Sequence, residues 1–579
     1  MQELIENRRS AKKFSYPRRP TAIDAGTLPH IGLSAVTYNS SKWLASFEKS
    51  ILNLDYPRHL LSIIFVDNSS TDETLQRLRE LQIRLISAHI ECEVLTRPNK
   101  GFGASNNAGV ALANASFVLV TNVDLEFEPG SLKVLADLAV RDHESVAVWE
   151  TRQLPYEHPK FYDPVTLTTN WNAHACVLVR KDVFLGLGGY DENIFMYCDD
   201  VEISYRFRRE GYVLRYCPQA VVYHYSYQSP NELKPLQFTG GLKGSFYIRS
   251  IYGSYIDIAL GFFLLLSLCF RTPPLHFSER DVLFHIKQAL KLFPSALKKR
   301  KKSRYAFAFR GFDYELRREG AWYDTKGFEM KNVPLVSIIT RTHANRQQIL
   351  DQAIHSVANQ TYARVELIIV EDGSTSTRET VKDWQSKAPE LNIKYIESPK
   401  QGRSHTGNVG LGHAKGDWVV FLDDDDLLFA DHIECLVSAQ QQEPHAVAVY
   451  GTAIEIQTQI DSLVPLNYCE KAWHTTPILD PEYSYEKLEI RNMIPIQTIL
   501  FKRDLFLKLG GFDVKLDALE DWNLWLRYAY GNHFSFVEKQ TSLYRVPAAR
   551  KINANRQRTL DAAYRDAKFG AIESRSRPT

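Results

Sequence analysis

The feature that most constrains this chain is a repeat the length of a domain, returning after roughly three hundred residues. IIFVDNSSTDET (63–74) returns as LIIVEDGSTSTRET (367–380), and VLVTNVDLEFEPGSL (118–132) as WVVFLDDDDLLFADHI (418–433). RKDVFLGLGGYDENIFMYCDDVEISYRFRREG (180–211) returns as KRDLFLKLGGFDVKLDALEDWNLWLRYAYG (502–531), and Arg180–Asp191 overlays Lys502–Asp513 without a gap. Order and spacing are kept throughout. The chain therefore reads as two copies of one domain, 28–235 and 333–550. Around them lie a basic N-terminal tail (1–27), a connector (236–332) and a C-terminal helix or tail (551–579). A chain of 579 residues at ~150 per domain has room for this arrangement.

Each copy opens as an α/β unit. LSAVTYN and LVSIITRT are short apolar runs ending in polar residues, the pattern of a buried parallel strand that delivers a functional loop. Helical periodicity follows in WLASFEKSILNL and QQILDQAIHSVANQ, then a second buried strand in LSIIFVDN and VELIIVED. The alternation predicts a doubly wound sheet in each copy, with ligands at the carboxyl ends of the strands.

Three acidic groups sit at such ends. VDNSSTDE and VEDGSTS put carboxylates and small hydroxyls where a nucleotide would lie, although Asp-Gly and Asn-Ser are also ordinary turn chemistry. Asp423 to Asp426 follow the apolar strand WVVFL, and their mutual repulsion is tolerated when a divalent cation neutralises it; hard oxygen ligands select Mg²⁺ or Mn²⁺. An acidic surface turn is the other reading. The first copy has Asn122 and Asp124 there, so its metal affinity is expected to be lower. Paired acids after the GGYD and GGFD turns, Asp199-Asp200 and Glu520-Asp521, are followed six residues on by Arg206 and Arg527. Acids in a first helical turn suit the helix dipole; alternatively one member is a general base whose pKa its neighbour and burial raise.

The Gly-rich loops NKGFGASNNAG (99–109) and KQGRSHTGNVG (400–410) could approach a phosphate through Lys100-Gly101 and Gly402-Arg403, at helix starts that favour anions, but neither is a P-loop. His224 ends another apolar run, with metal contact, phosphate contact and a structural role all open. The second copy has Tyr544 and Arg545 there, so Arg545 is the candidate to hold its diphosphate.

Charge and cysteines narrow the class. Lys+Arg is 70 and Asp+Glu 68, a net charge of +2, so basicity gives no argument for nucleic acid. The seven cysteines are odd in number, widely spaced and free of CxxC pairs, which favours a reducing, cytoplasmic setting. The basic start MQELIENRRSAKKF has no apolar run after it and does not read as a secretory signal. The apolar stretch Ile256 to Phe270 is short of the ~20 residues of a spanning helix. With the basic run Lys298 to Arg304 it leaves two readings of the connector: helices packed on the first domain, or a helix lying on the anionic inner face of the cytoplasmic membrane.

Taken together, these motifs resemble the family 2 glycosyltransferases with a GT-A fold, over both repeats but not the tail or connector. The resemblance implies two Rossmann-like GT-A domains joined by a mainly helical connector. It places nucleotide contacts at Thr37, Asn39, Asp67 and Asn68, and at Thr340, Arg341, Glu371 and Asp372. The family's DxD metal motif falls on Asp423 and Asp425, and in degenerate form on Asn122 and Asp124; its base falls on Asp200 and Asp521. The first copy looks most like bacterial rhamnosyltransferases of O-antigen and related surface glycans, which implies a dTDP-rhamnose donor and a glycan or lipid-linked acceptor. The implied activity is metal-dependent, inverting transfer from nucleotide-diphosphate sugars, one linkage per copy. Open alternatives are a first copy that only binds donor or acceptor, a two-site processive polymerase, and a nucleotide-sugar-binding scaffold or nucleotidyltransferase.

Overall fold

The structure is a computed structural model that describes residue 8 and residues 28–225, 234–266, 279–301, 333–475 and 483–574, with 307, 309–310, 313–314, 316–318 and 320. The tail 1–27 apart from Arg8, residues 267–270 of the apolar stretch, 302–304 of the basic run and 575–579 lie outside the described residues.

The first repeat forms strands β1 (Ile31–Thr37), β2 (Leu61–Asp67), β3 (Glu91–Thr96), β4 (Phe117–Thr121), β5 (Leu125–Phe127), β6 (Val146–Leu154), β7 (Thr168–Thr169), β8 (Cys176–Arg180) and β9 (Val213–His224). They make one 9-stranded sheet in the order β3-β2-β1-β4-β8-β6-β9-β5, with β7 on β9. A short hairpin, β10 (Phe309–Arg310) and β11 (Asp313–Tyr314), follows. The second repeat forms β12 (Val336–His343), β13 (Val365–Asp372), β14 (Ile393–Ser398), β15 (Trp418–Phe421), β16 (Leu427–Leu428), β17 (Ala448–Leu463), β18 (Leu466–Thr475), β19 (Ile499–Lys502) and β20 (Phe534–Pro547). Its order, β14-β13-β12-β15-β19-β17-β20-β16, reproduces the eight-strand path of the first sheet; the ninth strands differ, β18 lying on β17 where β7 lies on β9.

Both sheets are mixed. β1 pairs in parallel with β2 and β4, whereas β8 runs antiparallel to β4 and β6. Every residue of β2 is buried, which is why LSIIFVD reads as an unbroken apolar run up to its terminal acid. Helices cover the sheets by apolar stripes: Leu78, Leu81 and Leu85 bury one face of Thr74–Ser87, and Val381 and Trp384 do so for Arg378–Lys387. The α/β expectation of two GT-A-like sheets is met.

The chain divides into two compact units. One holds the first sheet and three further helices, Pro235–Tyr252, Tyr255–Leu266 and Glu279–Lys299; the other holds the second sheet and the helix Arg550–Ser574. Among the described residues no helix is long and apolar enough to cross a membrane.

Candidate functional site

In the first unit, β1 and β2 end side by side, so Thr37 faces Asp67 in the register and its hydroxyl donates to the Asp67 carboxylate at 3.1 Å. Asp67 also accepts from the Ser70 hydroxyl (2.6 Å) and backbone N–H (3.0 Å), which closes the turn after β2. Asn39, at φ +50°, receives the Thr71 N–H at 2.8 Å. Buried Asn68 accepts from Ser105 on the helix Phe102–Leu112. Gly101 precedes that helix at φ +101°, and a Cβ there would lie 2.1 Å from the Phe195 carbonyl oxygen, so only glycine fits. Lys100 beside it is exposed.

Asp124, past the end of β4, lies 3.5 Å from His224 Nε2 at the end of β9. Burial pushes the Asp124 carboxyl up, but the neighbouring imidazole outweighs it and holds the group below its ordinary value. His224 Nδ1 is 2.9 Å from Gln153 Oε1, whereas Nε2 is buried and makes no hydrogen bond among the described residues. One imidazole nitrogen and one carboxylate so placed fit a divalent cation.

The acid pair opens the helix Asp199–Arg209 after Tyr197 and Cys198, both left-handed at φ +66° and +69°. Burial, then the charge of Asp200, raises Asp199 to about 8; burial raises Asp200 to about 6. Among the described residues Oδ2 of Asp199 is buried without a hydrogen-bond partner. Arg206 is directed away from the acids. It pairs with Glu202 and donates to the Leu187 (2.9 Å) and Gly189 (2.6 Å) carbonyls, clamping the GGYD turn from behind.

The second unit repeats this frame with a different set of charges. Glu371 at the end of β13 turns into its own loop, accepting from Ser376, Thr377 and Tyr395. Asp372 accepts from the Gln401 (2.9 Å) and Gly402 (3.2 Å) N–H groups. Buried Arg341 grips Asp423 with two 2.7 Å bonds, reaches Glu520 at 3.2 Å, and holds the Asp423 carboxyl below its ordinary value against the upward push of burial. Arg346 takes Asp424 at 2.6 Å and Asp425 at 2.9 Å; the Thr342 hydroxyl donates to Asp424 at 2.6 Å. Arg545 donates to the Asp425 carbonyl at 2.7 Å. Protein cations thus pair with Asp423, Asp424 and Asp425, whereas burial and then the Asp425 charge raise Asp426 well above its ordinary value. Arg341 engages both oxygens of Asp423, which leaves Asp425 the more available ligand for a cation.

Leu519, again left-handed at φ +58°, precedes Glu520 and Asp521. Burial, then the Glu520 charge, raises Asp521 to about 6; Asn492 Nδ2 donates to its Oδ2 at 2.8 Å. Arg403 Nη1 lies 3.5 Å from Glu520, and Arg527 clamps the GGFD turn through the Leu509 and Gly511 carbonyls as Arg206 does in the first unit.

The strand register sharpens the comparison of the copies. Thr37 pairs with Asp67 and Thr342 with Glu371, so the structural counterpart of Thr37 is Thr342, two positions beyond Thr340. By the same register Arg341 stands where the first copy has Val36, and Asp423 where it has Asn122. Cation and anion are therefore replaced together. Sequence reasoning missed the braces Asn107 and Asn408: each accepts from and donates to one residue of the acid-bearing turn, Tyr190 (2.7 and 3.0 Å) or Phe512 (2.7 and 2.9 Å). Their shared place in the repeat was the available signal. Asn492 and Arg346 were missed too, because nothing local marks them.

A family model described as glycosyl transferase family 2 matches residues 35–175 and again 337–503. An uncharacterized glycosyltransferase of Haemophilus influenzae is 31% identical over 195 residues, 33% of this chain and 61% of that protein. An N-acetylglucosaminyl-diphospho-decaprenol L-rhamnosyltransferase of Mycobacterium tuberculosis is 27% identical over 34% of this chain and 76% of its own length. A glucosyl-dolichyl phosphate glucuronosyltransferase of Haloferax volcanii is 30% identical over 31% of this chain and 56% of that protein. Among solved structures, a mannosyltransferase from Pyrobaculum calidifontis in complex with GDP-Man and Mn²⁺ matches with a TM-score of 0.32 and 15% identity, covering 51% of this chain and 80% of that one.

Proposed function

The chain belongs to glycosyl transferase family 2, and on that premise we propose that it is a bifunctional, inverting enzyme with one transfer site in each repeat. The observation that carries this reading is the recurrence of one device. In both copies a left-handed residue precedes an acid pair whose first member is buried and whose second, partly buried member, Asp200 or Asp521, is raised to about 6. A carboxylate so tuned is a competent general base near neutral pH. It takes the proton of an acceptor hydroxyl as that oxygen bonds to the anomeric carbon. The bond to the nucleoside diphosphate breaks on the opposite face, inverting the carbon without a covalent enzyme intermediate.

The donors are nucleotide-diphosphate sugars, with dTDP-rhamnose proposed for the first copy. The acceptor is a growing bacterial surface glycan on a lipid carrier; two of the relatives carry a polyprenyl-linked acceptor in their names. Thr37, Asn39, Asp67 and Asn68 line the nucleotide end of the first site, and Thr342, in place of Thr340, with Arg341, Glu371 and Asp372 that of the second. Lys100-Gly101 and Gly402-Arg403 face the phosphates, with Arg545 assisting in the second copy. Mg²⁺ or Mn²⁺ would be held by Asp124 and His224, with Asn122 adding a neutral oxygen, and in the second copy by Asp425 and Asp423. When bound, the ion supplies Lewis-acid stabilisation to the leaving diphosphate. Peripheral contact with an anionic membrane completes the assignment.

Asp200→Asn and Asp521→Asn, assayed singly with lipid-linked acceptor and product analysis, test the reading. Each should remove one linkage by at least ~10²-fold and spare the other. Loss of both linkages, or of neither, from one substitution refutes two independent sites; loss from Asp521→Asn alone would leave the first copy a binding module.

A further inference from the structure

Three helices follow β9, and they pack against the acid pair of the first site. In Pro235–Tyr252, a Cβ on Gly244 would lie 2.5 Å from Cys198 Cβ, and the Cys198 thiol reaches the Gly241 carbonyl at 3.5 Å. Tyr247 donates to Asp191 of the GGYD turn at 2.8 Å and Tyr252 to Glu202 at 2.9 Å. The other two helices seat on this one: Phe246 meets Phe262 at 6.2 Å and Phe293 at 5.5 Å. Lys299, closing the last helix, pairs with Asp191 at 2.5 Å.

Their outward faces are unlike an ordinary protein surface. On Tyr255–Leu266 the exposed stripe is Tyr255 (82%), Ile256 (72%), Ala259, Leu260 and Phe263 (66%), with no charge among them. On Glu279–Lys299 exposed Leu283, Phe284, Leu290 and Leu297 alternate with exposed Lys287, Lys291 and Lys298, and among the described side chains of that face there is no acid. Apolar residues interleaved with lysines on a helix are the pattern of an interfacial helix on anionic lipid. The helix that packs on the other acid-bearing helix, Arg550–Ser574, exposes Lys551, Arg556, Asp561 and Asp566, charges of both signs.

We propose that this three-helix layer docks the first repeat on the anionic headgroup surface of a lipid bilayer, so that the membrane interface is brought beside the Asp200 site. The inference rests on the lipid-linked acceptor of the proposed function and names the surface that meets it. Lysines match the charge of the bilayer, and the aromatic and aliphatic side chains enter the headgroup layer without spanning it. Arg550–Ser574 exposes Ile552 and Phe569 as well, but interleaved with acids as well as bases.

Co-sedimentation of the full chain with phosphatidylglycerol–phosphatidylcholine vesicles, without donor, is the test. The chain should bind these vesicles at least about tenfold more tightly than pure phosphatidylcholine vesicles. Ile256→Asp with Phe263→Asp, and separately Lys287→Glu with Lys291→Glu, should each lower binding by about tenfold or more while circular dichroism and hydrolysis of nucleotide sugar stay as in the parent. No binding to anionic vesicles, or binding unchanged in both variants, overturns the proposal. So does a dimer, seen by sedimentation velocity without lipid, that the Phe263 variant dissociates, because the face would then be a self-interface. Vesicle binding is read without transfer, so failure of the two-site reading leaves this result intact.

Discussion

At the residue scale, the acid pairs set the pH behaviour. Asp200 and Asp521 must be ionised to accept a proton, and both are raised to about 6. Each transfer rate should therefore fall through half its plateau near pH 6 and about tenfold per unit below; initial rates for each linkage from pH 5 to 8 give the check, and a flat profile to pH 5 is incompatible with these bases. An acid whose folded pKa exceeds its unfolded one binds more protons when folded, so stability declines with rising pH between the two values and the deficit persists above them. The asparagine variants should consequently melt no lower than the parent, which separates lost chemistry from lost fold. These acids were legible in the sequence because they recur after one turn motif. Their partners were not: Arg341 and Asp423 are 82 positions apart, Arg341 and Glu520 179. At the end of β12 the letters offer two threonines, Thr340 and Thr342, and only the ladder of β12 on β13 selects Thr342 as the counterpart of Thr37.

At the scale of elements, the strands that carry the site were legible and the edges were not. β2 and β13 are buried almost throughout, so their apolar runs end where the sheet ends. β17 is buried to Ile454, alternates to Thr458 and is exposed from Gln459 to Asp461, beyond its pairing with β20, where β18 is its partner. The GGYD or GGFD turn ahead of each acid pair is held from two sides, by Arg206 or Arg527 on one and by Asn107 or Asn408 on the other. Asn408→Ala removes both bonds to Phe512 and leaves its buried backbone groups unpaired, a loss of about 1–3 kcal/mol. Thermal unfolding should register that loss, and the second linkage should slow through kcat with donor KM little changed. Full kcat with a lowered melting point would make Asn408 a fold residue only.

At the scale of the molecule, a net charge of +2 conceals two differently charged interiors. Ion pairs of Arg341 with Asp423 and of Arg346 with Asp424 and Asp425, and the Arg545 bond to the Asp425 carbonyl, fill one site, where the other has Val36, Asn122 and Val123. Sites so unlike should prefer different donors. Differential scanning calorimetry with Mn²⁺ should show two transitions, each cognate nucleotide sugar raising only one; at a hundred times its Kd the stabilisation is about 2.7 kcal/mol. A single transition raised equally by every donor would contradict this. Both sheets are also translated as one polypeptide. However strongly it is expressed, the cell receives the two sites in a fixed ratio of one to one, and neither can accumulate without the other. A pair of separate enzymes would need matched synthesis to keep an intermediate from piling up; here that match is written into the covalent chain.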